Sequence, residues 1–152
     1  MPEPTVQIAL PYPPDDELNT ITYETVDAVF GPDTEVVLDV ELDQGIGEIL
    51  PYVGVVLTYI GMKGLDVLTE ESWKKLADWV RRLAGGDGRH GPDRREVRLT
   101  DRDRQAEFVF DSIALDSEYA MPAIRDVDVP DSGGERIFRW DEGTRTWRVE
   151  RP

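Results

Sequence analysis

The 152-residue sequence predicts a single α+β domain, built as a mixed, mostly antiparallel sheet with about three helices on one face. Three observations lead there. Residues 1–62 read as strand, helix and strand followed by an apolar run; residues 69–86 hold one amphipathic helix; and residues 95–150 break into short alternating runs that pair as two hairpins.

The first strand is TVQIAL, where Val6, Ile8 and Leu10 share a side and the prolines Pro11, Pro13 and Pro14 stop it. The segment DDELNTITYETVDAVFGP then places Leu18, Ile21, Thr22, Thr25, Val26 and Val29 on one helical face, with acids in the first turn and Gly31-Pro32 as the terminator. EVVLDVELD alternates again, with Val36, Leu38, Val40 and Leu42 on one side and Val37, Asp39 and Glu41 on the other. Strand, helix and strand in this order predict a βαβ unit with its two strands parallel.

Residues 49–62 are fourteen uncharged, mostly apolar positions. As a helix they would reach only about 21 Å at roughly 1.5 Å per residue, against a hydrocarbon layer of about 30 Å. The run is therefore expected in the core, Val56 included. Its Val and Tyr content also suits a strand, but Gly47, Gly54 and Gly61 recur at helical heptad spacing and Pro51 suits a first turn, so a buried helix is predicted. Thr69 reads as the N-cap of EESWKKLADWVRRLAGG. There Trp73, Leu76, Ala77, Val80, Leu83 and Ala84 share a face, Lys74, Lys75, Arg81 and Arg82 lie outside it, and Gly85-Gly86 ends the helix.

After the loop GGDGRHGPDRR, the stretch EVRLTDRDRQAEFVF predicts a hairpin turning at residues 101–104, with Val97 opposite Phe108, Arg98 opposite Glu107 and Leu99 opposite Ala106. IFRWDEGTRTWRV predicts a second hairpin turning at Glu142-Gly143, with Phe138 opposite Trp147 and Trp140 on the same face. Residues 112–134 between them are too apolar for a free linker and too broken for a long helix.

Charge narrows the function. The formal net charge is −15 and the isoelectric point about 4.3, which disfavours nucleic acid or an anionic membrane as a partner. Positions 1–62 carry twelve acids and no Lys or Arg, whereas positions 63–152 carry twenty acids and seventeen bases. The absence of cysteine removes disulfides, thiolate metal sites and a thiol nucleophile. The opening MPEPTVQIALPYPPDDE has neither a basic stretch nor a long apolar core, and a cytoplasmic location is expected.

Candidate chemistry is sparse. His90 sits in a glycine-rich loop and is either a general base or an exposed loop histidine. GGDGRHG matches neither the Walker phosphate loop nor the dinucleotide fingerprint. Asp39 and Glu41 project together from a strand, an arrangement that suits a divalent cation through oxygen ligands or simply a solvated strand face. The run DVDVPDSGGE departs from calcium-loop spacing.

On the first helix Glu17, Thr20, Glu24 and Asp27 share the face opposite the apolar stripe, with no base four residues on. An acidic surface of this kind complements a basic protein, or belongs to an ordinary solvated helix. The expected function is a small non-enzymatic protein-binding module, like an immunity protein, inhibitor or adaptor, that docks or neutralises a basic protein. Glu17, Glu24, Asp27, Asp39, Glu41, Trp140 and Trp147 are the candidate contact residues and Tyr119 a further surface aromatic; no cofactor and no resident metal are expected. The runner-up is a divalent-metal carboxylate hydrolase or nuclease using Asp39 and Glu41.

Overall fold

The computed structural model describes residues 5–10, 14–40, 52–58, 69–85, 95–102, 104–127 and 134–150. They form one α+β unit in which seven strands make a single sheet. The strands are β1 (Thr5–Leu10), β2 (Glu35–Val40), β3 (Tyr52–Thr58), β4 (Glu96–Asp101), β5 (Ala106–Phe110), β6 (Arg136–Asp141) and β7 (Thr146–Val149). They lie in the order β2-β1-β3-β4-β5-β6-β7. Three neighbouring pairs are parallel (β1/β2, β3/β4 and β5/β6) and three antiparallel (β1/β3, β4/β5 and β6/β7), where the sequence led to one parallel pair.

Helix α1 (Asp16–Phe30) begins where the Asp15 carboxylate accepts the Leu18 amide at 2.7 Å, and Asp16 and Glu17 occupy the first turn where the helix dipole favours anions. It ends at Gly31, whose φ of 104° is unfavourable for a residue with a Cβ. Leu18, Thr22, Thr25, Val26 and Phe30 are its buried positions. Helix α2 (Glu70–Leu83) is capped by the Thr69 hydroxyl, which accepts the Ser72 amide at 3.2 Å, and buries Trp73, Leu76, Trp79, Val80 and Leu83. The third helix, α3 (Ser112–Asp116), is a single capped turn followed by a 3-10 turn at Pro122–Asp126. No helix among the described residues is long and apolar enough to cross a membrane.

The helix expected over residues 49–62 is a strand where it is described. In β3 the exposure alternates, with Val53, Val55 and Leu57 fully buried and Tyr52, Gly54, Val56 and Thr58 half-buried on the opposite face. An interior strand paired on both sides has little need of charge, so its sequence reads as continuous apolar run and hides the period of two. Gly54 pairs with Ala9 on β1 and Arg98 on β4, so it marks no helical stripe.

Both hairpins form, each with its register moved by two residues from the expected one. Leu99 faces Phe108, Thr100 faces Glu107 and Arg98 faces Val109; Trp140 faces Trp147 and Phe138 faces Val149. The cause is loop length. Four residues separate the last paired positions of each hairpin (102–105 and 142–145), where the expected registers left two (102–103 and 142–143). Each connection closes on a non-glycine residue in the left-handed region (Gln105 at φ 55°, Arg145 at φ 54°) and opens on an aspartate whose carboxylate accepts loop amides.

One face of the sheet carries the core: Val6, Ile8 and Leu10, then Val53, Val55 and Leu57, then Val97 and Leu99, then Ala106, Phe108 and Phe110, then Phe138, Trp140 and Trp147. All the helical segments pack there, since the Arg81 guanidinium on α2 donates to the Leu115 carbonyl at 2.7 Å and the Trp147 indole to the Ala120 carbonyl at 2.8 Å. The crossover from β5 to β6 runs toward the β7 edge as the β3 to β4 crossover does, but from a strand of opposite direction. Its described residues, α3 and the 3-10 turn, lie on the same face, which gives them the opposite hand. Right-handed helical crossovers dominate, and the described part of this odd connection, residues 111–127, holds only the short α3 and a 3-10 turn, in keeping with the broken pattern read there.

Candidate protein-docking face

The charge asymmetry of the sequence becomes an asymmetry in space because β2, β1, β3 and α1 are all drawn from the base-free part of the chain and form one end of the molecule. The described residues of that end hold Asp15, Asp16, Glu17, Glu24, Asp27, Asp33, Glu35 and Asp39 with no Lys or Arg. Every base of the sheet lies on the other side of β3, on Arg98, Arg136, Arg139 and Arg148 and in the adjoining turns.

On α1, residues Thr20, Tyr23, Glu24 and Asp27 are exposed together, and Tyr23 is 56 % exposed. Sequence reasoning passed over Tyr23, although its spacing from Thr20 and Asp27 puts it on the same polar face. An exposed tyrosine ringed by carboxylates gives a rigid amphipathic contact inside a charged rim. Glu17 differs from its neighbours, since its carboxylate accepts from Arg82 on α2 at 2.7 Å and closes the seam between the helices. No ion pair among the described residues engages Glu24, Asp27, Glu35 or Asp39.

Asp39 is exposed on β2, on the sheet face opposite the helices, beside Ala9 in register. Glu41 and His90 lie outside the described residues, so the runner-up's carboxylate pair is described for one member only. Among the described residues no group of three or more His, Cys, Asp or Glu side chains converges on a point where a metal could sit.

Trp140 and Trp147 are core residues, which corrects their place among the contact candidates. They are 7 % and 8 % exposed and meet edge to face at 5.3 Å, and Trp147 also packs against Phe108 at 5.2 Å and Phe110 at 5.1 Å. Sequence spacing placed them on one sheet face but not on which, and the apolar face belongs to the helices. Tyr119 stays 39 % exposed and carries the Arg145 guanidinium over its ring at 4.2 Å. Beside it, the Glu142 carboxylate accepts from the Trp140 indole and the Ser117 hydroxyl; these bonds, the indole one foremost, hold its pKa below the usual carboxylate value.

The helix-free face is self-neutralised in its middle and at its far end. Arg98 pairs with Glu96 at 2.8 Å and covers the Tyr52 ring at 4.2 Å, Arg139 pairs with Glu150 at 2.9 Å, and Arg148 pairs with Asp141 at 2.9 Å. Glu107, in the same region, has its pKa pushed up by burial against the opposing pull of Arg98. Unbalanced charge therefore belongs to the β2 and α1 end. Comparison with protein-family models, curated proteins and solved structures finds no match to this chain.

Proposed function

We propose that this chain is a non-enzymatic protein-binding module whose acidic end docks or neutralises a basic protein, in the manner of an inhibitor, adaptor or immunity protein. The observation that carries the reading is the separation of charge. One end holds eight described acids without a base, while the ion pairs that balance the rest of the surface lie beyond β3, along α2 (Lys75 with Glu71, Arg81 with Asp78) or, like Arg82 with Glu17, at the helix seam. Like charges left adjacent on a helix cost a few tenths of a kcal/mol per pair. A basic partner converts that cost into complementarity and a faster encounter. Glu24, Asp27 and Tyr23 form the centre of the contact, with Asp39 extending it around the β2 edge onto the other sheet face; Glu17 serves the α1/α2 seam.

Capture from the source cell by the wild-type chain and by a Glu24→Lys, Asp27→Lys variant tests the reading, with retained proteins identified by mass. The expected result is a basic protein held by the wild type and depleted about tenfold or more in the variant, equivalent to roughly 1.4 kcal/mol. Equal retention by both chains removes the acidic face from any docking role.

A further inference from the structure

The two edges of the sheet are finished differently. At one, β7 is four residues long, flanked by the ion pairs of Arg139 and Arg148, and its Trp147 is sealed into the core under the Ala120 carbonyl. At the other, β2 is six residues long and is the outermost strand among the described residues. Its apolar side chains are left half-covered on both faces, Val36 and Leu38 at the margin of the core and Val37 on the helix-free side. Lysine, proline and bulges are the usual guards of an edge strand; β2 has neither of the first two and pairs with β1 in unbroken register over all six residues. It carries only Glu35 and Asp39, both exposed and on the same face as Val37.

We infer that β2 accepts an added strand from the basic partner, in which Lys or Arg residues stand opposite Glu35 and Asp39 and apolar residues stand opposite Val36 and Leu38. This rests on the acidic end being the docking face for a basic protein, and it names the form the partner takes there. The unpaired N–H and C=O groups of an edge strand supply backbone bonds, and alternate side chains supply specificity. The period of two does the selecting. A strand in register puts one set of its side chains against carboxylates and the other against the open margin of the core, so the recognised pattern is basic, apolar, any, apolar, basic.

A second copy of this chain is excluded as the occupant by the same charges. Antiparallel pairing of β2 with itself about Val37 sets Glu35 opposite Asp39 twice, and like charges directly opposite destabilise a ladder. The acids thus guard the edge against self-association while admitting a basic strand, which is specificity through repulsion.

The test uses the full chain and a fluorescent peptide with the core Arg-Val-Thr-Val-Arg, whose palindromic pattern fits either strand direction. Anisotropy at low ionic strength should show saturable binding, weakened about tenfold or more by Glu35→Lys with Asp39→Lys. Backbone N-methylation of the two Val residues and of the Arg and Thr residues, in separate peptides, should abolish binding in one case and spare it in the other, because alternate amides of an added strand face the ladder. Hydrogen exchange should slow at residues 35–40 on binding and stay unchanged along α1. Absence of saturable binding, or binding indifferent to both methylation patterns, overturns strand addition. If that occurs while Glu24→Lys with Asp27→Lys still abolishes partner capture, the docking face survives and only its strand-adding form is lost.

Discussion

The indole N–H of Trp79 on α2 donates to the hydroxyl of Thr22 on α1 at 2.9 Å, with both side chains closed to solvent. With the Glu17–Arg82 pair at the rim of the same seam, this bond sets the rotation of α1 about its axis. That rotation keeps Thr22 and Val26 inward and leaves Tyr23, Glu24 and Asp27 outward.

Thr22→Val keeps the volume but strands the Trp79 donor, so a loss of about 1–3 kcal/mol is expected in denaturant unfolding. Trp73 is the internal comparison, since its buried indole nitrogen has no hydrogen-bond partner among the described residues. Trp79→Phe should therefore destabilise more than Trp73→Phe, although both remove the same atoms.

Val55 and Val56 are adjacent on β3 yet face opposite ways, Val55 fully buried and Val56 half-buried on the helix-free face. Val55→Asp puts an unpaired charge in the core and costs several kcal/mol, enough to unfold a domain stable by about 5–15 kcal/mol. Val56→Asp should leave a folded protein with a cooperative melt. Thermal unfolding of the two variants side by side checks the strand and its register; equal damage from both would restore a run buried on all sides.

How far the sequence spoke depended on whether local chemistry or tertiary context decided the element. The helices α1 and α2 were legible because end signals and period agree: acids in the first turn and Gly31-Pro32 bound α1, and Thr69 stands where its hydroxyl accepts a first-turn amide of α2. β3 was not, because pairing on both sides lets it do without charge, and its one glycine fell by coincidence on a helical spacing with Gly47 and Gly61. The hairpins were legible in existence and face. Their registers were not, since Gly143 drew the turn toward itself while the left-handed positions fell to Gln105 and Arg145. At the candidate site the acid face of α1 was visible from spacing alone, but the removal of Glu17 into the Arg82 pair was not, because those residues are 65 apart in the chain. The burial of Trp140 and Trp147 depends on which face the helices cover, a matter no local pattern records.

The two perturbed carboxylates predict opposite behaviour in acid. Glu142 has a lowered folded pKa, so its contribution is present above the unfolded value, near 4.5, and is lost as pH falls through the folded one. Glu142→Gln should be the less stable protein at neutral pH, with the difference closing on acidification. Glu107 has a raised folded pKa, so its charge costs stability at neutral pH and the cost is relieved as pH falls through the raised value toward 4.5. Glu107→Gln should be the more stable protein at neutral pH, again converging with the wild type in acid. Melting curves from neutral pH down to about pH 3 read both signs.

Association kinetics across a salt series bear most directly on the acidic end as a docking face. With the captured basic protein immobilised, the association rate of the wild-type chain should fall steeply as ionic strength rises past the point where the Debye length is about 8 Å, while dissociation changes little. The Glu24→Lys, Asp27→Lys variant should associate more slowly at low salt and show a flatter dependence, with its melting temperature unchanged because both positions are exposed. A wild-type rate independent of salt, or a variant indistinguishable from it at every ionic strength, would contradict the assignment of this end of the molecule as the docking face.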